Sequence, residues 1–228
     1  MRGSYAPARE AVKVAADRSL GRIPAMTLSL RVEKTLIVLA LWAVFASGYF
    51  TLNAWNQTRE TRTVEIELDE RIPFQSAWVL PYIFVYVFIL LPAPVVQHRG
   101  YFRAVARAYL GTMAAGFLVF AFFPVRYPRP ELGGRIDGFL TWGVGLNYAL
   151  DYPNNCFPSL HIAIAYLAAF ACWRITRPVG AIGLAIATAI ALSTLFIKQH
   201  YVLDIVAGLA LAAATYAWFI VRGFRPGR

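Results

Sequence analysis

The chain is 228 residues long, 59% of them hydrophobic and only 15% charged, with a mean hydropathy of +0.54. A soluble domain carries about 25% charged residues, so the composition excludes an ordinary soluble enzyme and indicates an integral membrane protein. The net charge of +10 raises nucleic-acid binding as a class, but the basic residues are not gathered on one amphipathic or motif-bearing element. No nucleic-acid partner is expected.

In chain order, the first 30 residues are basic and the first apolar run begins only near Thr35. That run is long enough to span a bilayer, so it reads as an anchor rather than as the removable core of a signal peptide. Six stretches have spanning length: residues 35–53, 78–96, 107–123, 158–175, 179–197 and 201–222. They predict an all-α bundle of six transmembrane helices, with a basic segment at 1–34, a membrane domain at 35–222 and a short tail at 223–228. Arg103 and Arg107, at the start of the third stretch, are expected to snorkel to the interface.

With six spans, the N-terminus, the 97–106 loop, the 176–178 turn and the C-terminus share one side. That side holds most of the 22 Lys and Arg residues and few of the 12 acids. The positive-inside rule therefore predicts that both termini are cytoplasmic. Two long loops, 57–76 and 124–157, fall on the opposite side. The first alternates in character over Thr63-Val64-Glu65-Ile66-Glu67-Leu68, as a short extended segment does. Asp69 and Glu70 after it fit either a site entrance or a turn before Pro73. The second contains Arg126, Arg129, Gly133-Gly134 and an apolar patch from Phe139 to Leu150, expected as an interfacial helix.

Trp42, Trp55, Trp78 and Trp218 lie near span ends and fit an aromatic belt. His98 is expected in a solvated cytoplasmic loop, and Arg135 and Asp137 on a loop surface. Cys156 and Cys172 are 16 residues apart. On one helix that is about 24 Å, beyond the reach of a disulfide, and both read as small packing residues.

The chemistry lies at the outer ends of the last three spans. Pro158 is suited to a first helical position, which places Ser159 and His161 in the first turn of the fourth span. A helix N-terminus attracts anions through its free N–H groups and its dipole. Lys198, Gln199 and His200 form the tight connection between spans five and six. His200 and Asp204 are four residues apart, so they share a helix face. A carboxylate on one imidazole nitrogen fixes the tautomer and leaves the other nitrogen to act as a nucleophile. Arg126 and Arg129 suit phosphate oxygens. All of these residues fall on the non-cytoplasmic side, so the group reads as a phosphate site there.

These residues resemble the motifs of the type-2 phosphatidic acid phosphatase superfamily: K-x6-R-P, P-S-G-H and S-R-x5-H-x3-D. The second is matched by Pro158-Ser159-Leu160-His161 and the third by Ser193-Thr194, His200 and Asp204. Arg129-Pro130 ends the first. Phe122, Leu160 and Thr194 stand where the motifs have lysine, glycine and arginine, and Lys198 and Arg126 are expected to supply the missing charge. The wording Phe-Pro-Ser-x-His and Lys-Gln-His-Tyr-x-x-Asp, with the 68–74 segment, is closest in style to the inositol phosphorylceramide synthase-like branch. The resemblance covers about residues 68–208.

It implies a membrane lipid phosphatase that works without metal or cofactor. His200 would form a phosphohistidine with Asp204 orienting it, His161 would act as acid and then base, and Ser159 and Arg129 would hold phosphate oxygens. The implied partners are a lipid phosphate or phospholipid and the bilayer. Transfer of a phospho-head group to an alcohol acceptor uses the same chemistry and stays open. Two other classes compete: a b-type cytochrome with His161 and His200 as axial haem ligands, and a transporter using the same ionisable residues. The latter lacks paired broken helices and repeat symmetry.

Overall fold

A computed structural model describes residues 29–132 and 138–224. The chain divides into a short N-terminal unit, Met1–Glu33, and a compact unit, Lys34–Arg228, that holds the features below. Gly133, Gly134, Arg135 and Asp137, the basic segment before residue 29 and the tail after residue 224 lie outside the described residues.

Among the described residues the protein is helical and has no strand. In order come α1 (Leu30–Asn56), α2 (Glu67–Arg71), a 3-10 turn (Ser76–Trp78), α3 (Val79–Phe88), α4 (Pro92–Val95), α5 (Arg99–Phe122), α6 (Phe139–Leu150), α7 (Leu160–Ile175), α8 (Arg177–Phe196), α9 (Val202–Thr215) and a π-helical continuation (Tyr216–Arg222). Four helices are long and apolar enough to cross a membrane: α1, α5, α8 and Val202–Arg222. The other two expected spans are the shorter apolar helices Ser76–Phe88 and Leu160–Ile175.

Proline explains the first shortening. Proline has no N–H to continue the ladder, and its ring crowds the carbonyl four residues back. The 78–96 run therefore stops at Phe88, and Pro92 opens the separate helix α4. The second shortening comes from capping. Pro158 is not the first helical residue; Ser159 is the N-cap, its Oγ accepting the Ile162 N–H at 3.4 Å. The apolar patch at Phe139–Leu150 is helix α6, with Phe139, Trp142, Leu146 and Leu150 exposed along it. The alternating segment at 63–68 forms no ladder. Arg62 bridges to Val125, and Glu67 and Leu68 enter α2.

Helix α7 is the centre of the bundle. Ala163, Ala165, Ala168, Ala169 and Ala171 are all fully buried, and small side chains let neighbouring helix backbones come close. Glycines on the partner helices complete the fit. A Cβ on Gly180 of α8 would lie 2.3 Å from Trp173 Cα. A Cβ on Gly208 of α9 would lie 2.6 Å from the Ser159 carbonyl oxygen. The second contact brings the start of α9 against the start of α7, where the sequence puts its histidines.

Helix α1 packs differently. At one end Lys34 Nζ donates to the Ala93 carbonyl at 2.8 Å. At the other, Asn53 Nδ2 donates to Asp151 Oδ1 and to the Tyr152 carbonyl, and Asn56 Nδ2 to the Phe120 carbonyl and Asn155 Oδ1. Between these ties an apolar groove remains. Its walls include Leu41 and Phe45 from α1, Val85 from α3, and Val105 and Met113 from α5; His161 lies in its lining.

The 57–76 loop is locked by Asp69, only 3% exposed. Its Oδ2 accepts the Ile66 N–H at 2.9 Å at the start of α2. Its Oδ1 accepts the Val202 N–H at 2.8 Å at the start of α9. One carboxylate thus satisfies otherwise unpaired donors at two helix starts. This helix-end role differs from both readings of Asp69, a site entrance or a turn before Pro73.

Two outcomes follow for purified protein in detergent. Gly208→Val forces α9 away from α7 and lowers stability by about 1–3 kcal/mol, read as a fall in Tm; an unchanged Tm would contradict the close contact. Asp69→Ala removes both caps, at about 0.5–2 kcal/mol for each, and should show earlier local unfolding of the α9 N-terminus by hydrogen exchange.

Candidate active site

His200 sits at the turn between α8 and α9. Helix α8 ends at Phe196, and Lys198 takes a left-handed φ of 54°. This reversal lets the Thr194 carbonyl accept the N–H groups of Gln199 at 2.8 Å and His200 at 3.3 Å. Thr194, where the motif has arginine, is fully buried, and its carbonyl organises the turn.

From there His200 Nδ1 meets Asp204 Oδ2 at 3.0 Å. The same carboxylate oxygen accepts the Tyr201 N–H at 3.0 Å. Both side chains are buried, His200 to 6% and Asp204 to 0% exposure. A buried carboxylate next to Nδ1 favours the tautomer with its proton there, leaving Nε2 with a lone pair. Nε2 lies 3.1 Å from Ser159 Oγ. The Ser159 N–H donates to the Asp204 carbonyl at 3.1 Å, which ties the starts of α7 and α9 together.

His161, in the first turn of α7, completes the group. Its ring centroid is 5.9 Å from that of His200, at an interplanar angle of 63°. Tyr82 and Tyr86 of α3 flank it at 5.4 and 6.2 Å. The structure therefore brings His161, Ser159, His200 and Asp204 to one end of the bundle.

Arg129 belongs to the same region. Its Nη1 donates to the Tyr148 carbonyl at 3.1 Å and to the Asp151 carbonyl, and its Nη2 to Gln199 Oε1. The guanidinium lies over the Tyr148 ring, 4.6 Å from its centroid. Arginine has five N–H donors; these bonds take three, and the buried Nε has no partner. The charge is within Coulombic reach of His161.

Lys198 and Arg126 are placed differently. Lys198 Nζ donates to the carbonyls of Asp69 at 3.2 Å and Ile72 at 2.5 Å, so its ammonium holds the 57–76 loop. Burial lowers its pKa. Arg126 is exposed, and it is its backbone that makes the local ties: its N–H to the Arg62 carbonyl and its carbonyl to the Tyr201 hydroxyl. Neither cation is brought to the histidine pair. Phe122, at the motif's lysine position, is 82% exposed. Leu160, in place of glycine, fits because α5 has Gly116 opposite it, where a Cβ would come within 2.6 Å of Leu160 Cδ2.

The sequence reading gave no role to Gln199, Asn147 or Asp151. Gln199 is 3% exposed and links Arg129 to Asn147 Oδ1 through its two amide ends. Asp151 Oδ1 accepts from the Tyr49 hydroxyl and Asn53 Nδ2, each at 2.9 Å. Burial raises the Asp151 pKa, opposed by Arg129. The available signal was the spacing of Asn53 and Asn56, polar residues on one face at the end of an apolar helix.

Among the described residues, Cys156, His200 and Asp204 offer ligand atoms within 4.8 Å of one another. Burial pushes the Cys156 thiol well up, and Sγ donates to the Pro153 carbonyl at 3.3 Å. Metals bind the thiolate, whereas Asp204 Oδ2 accepts two hydrogen bonds and its buried Oδ1 has no partner. The donor set suits a hydrogen-bonded triad better than a cation.

A comparison with curated proteins finds no match, and a comparison with solved structures finds none. A family model described as PAP2 superfamily matches residues 69–218, a stretch that contains α3 to α9 and every residue of the His161–Ser159–His200–Asp204 group. That match spans more than half of the chain and agrees with the geometry of its site: this protein belongs to the PAP2 superfamily, whose activity is of the phosphatase type on phosphate esters.

Proposed function

We propose that the protein is a membrane lipid phosphatase that removes phosphate from a lipid phosphate through a phosphohistidine on His200. The observation that carries this reading is the pairing of Asp204 with His200 Nδ1, which turns a lone pair on Nε2 toward Ser159 and the His161 side of the site. His200 Nε2 attacks phosphorus, and the bond from phosphorus to the lipid oxygen breaks. His161, in its protonated form, gives its proton to that oxygen. Water then attacks the phosphohistidine and gives a proton to His161; the N–P bond breaks and phosphate leaves. Arg129, through its two unused N–H groups, and Ser159, through its hydroxyl, hold phosphate oxygens.

The groove between α1, α3 and α5 supports a lipid as the ester. Its lining is apolar and His161 belongs to it, so a hydrocarbon chain there puts its head group beside the catalytic pair. The basic excess on the segments holding both termini supports a multi-pass cell-membrane protein with this site on the outer face. Haem ligation has less support, because both ring nitrogens of His200 already face protein partners, Asp204 and Ser159.

Phosphate release from a panel of lipid phosphates tests the chemistry. His200→Ala should abolish release, and His161→Ala should lower it by about 10²–10⁴-fold, the usual worth of a general acid; full activity in the first variant would overturn the mechanism. The groove is tested by Val105→Trp. It should raise KM for a long-chain lipid phosphate and leave a short-chain ester unaffected, whereas equal effects on both would remove the groove from the substrate path.

A further inference from the structure

Helix α6 contains no charged residue. One side of it packs inward: Val144 is fully buried with Val79, Tyr82 and Ile197, and Leu140 and Tyr148 pack against that cluster. Phe139, Trp142, Leu146 and Leu150 lie on the other side and are exposed. Their spacing of three, four and four residues puts them in one stripe. A helix on the surface of a soluble protein turns polar residues away from its core, whereas one that is apolar all round is enclosed by apolar material.

The level of α6 in the molecule says what that material is. Helices α7 and α8 leave the same turn at Thr176, and they have 16 and 20 residues. Those lengths correspond to about 24 Å and about 30 Å, and the hydrocarbon of a bilayer is about 30 Å thick. The start of α7, which carries Ser159 and His161, therefore stops about 6 Å short of the far end of α8. Helix α6 sits at that far end, with the Tyr148 hydroxyl donating to the Ile197 carbonyl at 2.6 Å. It also rests on the start of α3, whose Leu80, Ile83, Phe84 and Val87 are exposed. The stripe thus adjoins the outward face of an apolar helix, at the edge of the hydrocarbon. Interfacial helices bury their apolar face about 5–10 Å into this boundary.

The end of the same helix holds Arg129. The Tyr148 carbonyl accepts from its Nη1 at 3.1 Å, the carbonyl of the C-cap residue Asp151 accepts from the same atom, and the guanidinium lies over the Tyr148 ring. We propose that the outward stripe of α6 is a bilayer contact, sunk into the hydrocarbon of the leaflet at the histidine end, and that this contact fixes Arg129 for its phosphate. The second half rests on the phosphatase reading; the first does not. Lipid packed on the stripe holds α6 down on α3 and α8, so the carbonyls at its end keep the guanidinium in place. The stripe side chains are positioning residues, since they act through Arg129 and touch no substrate.

Both halves are tested on the full chain in lipid nanodiscs. A spin label on Leu146→Cys reads the depth, with Cys156 and Cys172 buried and out of reach of the reagent. The label should collide readily with oxygen and little with a water-soluble nickel chelate. The reverse pattern, or shielding from both reagents by a second copy of the chain, would overturn the bilayer contact. Hydrolysis of p-nitrophenyl phosphate, which has no chain for the groove, reads the link to Arg129. Leu146→Asp should raise KM by roughly tenfold with kcat little changed, the worth of about one hydrogen bond to a charged group. Leu146→Ser should shift KM in the same direction, and Leu146→Phe, still apolar, should keep the wild-type KM. An unchanged KM in both polar variants, or a fall in kcat alone, would sink the link to Arg129 and leave the depth result standing. No phosphate release by the wild-type protein from this ester or from lipid phosphates would overturn the phosphatase reading and the link with it.

Discussion

The hydrogen bond between His200 Nδ1 and Asp204 Oδ2 is the interaction on which the rest of the site depends. It is made at the end of an apolar bundle, where polar groups without partners are expensive. Its surroundings satisfy one carboxylate oxygen and leave the other, the buried Asp204 Oδ1, without a partner. The Asp204 carboxylate also takes the Tyr201 N–H, and its main-chain carbonyl takes the Ser159 N–H. The same pair that orients the imidazole therefore joins the first turns of α7 and α9. Gly208 makes that junction close enough, because any side chain there would strike the Ser159 carbonyl.

Further polar ties hold this end of the bundle. Asp69 caps α2 and α9 with its two oxygens, Lys198 binds the carbonyls behind it, and Arg129 joins the end of α6 to the α8–α9 turn through Gln199. Arg129 is held through only part of its donor set, which leaves it fixed in place yet able to bind an anion. The helix α1 follows the opposite plan. Polar bonds secure its two ends and its middle faces an apolar groove.

The departures from the family motifs acquire physical sense in this frame. Leu160 occupies a glycine position, and the room it needs comes from Gly116 on α5. Thr194 is buried and has no space for a guanidinium; its carbonyl holds the turn that carries His200. Phe122 faces outward. Arg129 is well anchored beside Asp151, whose pKa burial raises, and the Lys198 ammonium is bonded to the Asp69 and Ile72 carbonyls.

Much of this was legible in the chain itself. Composition determined the membrane class, apolar run length gave the helical character, and the four-residue spacing anticipated the contact of His200 with Asp204, although His200 lies in the turn before α9 and not on its helical face. The short motifs identified Ser159 and His161. Only the tertiary structure decided the helix lengths at Phe88 and Leu160, where proline and a serine cap interrupt runs that hydropathy alone treats as continuous. It also decided the partners of Lys198, Gln199, Asp69 and Asp151. Those contacts join residues such as Asn53 and Asp151 or Asp69 and Val202, separated by 98 and 133 positions. No local pattern encodes them, because they exist only once the helices have packed through their small residues.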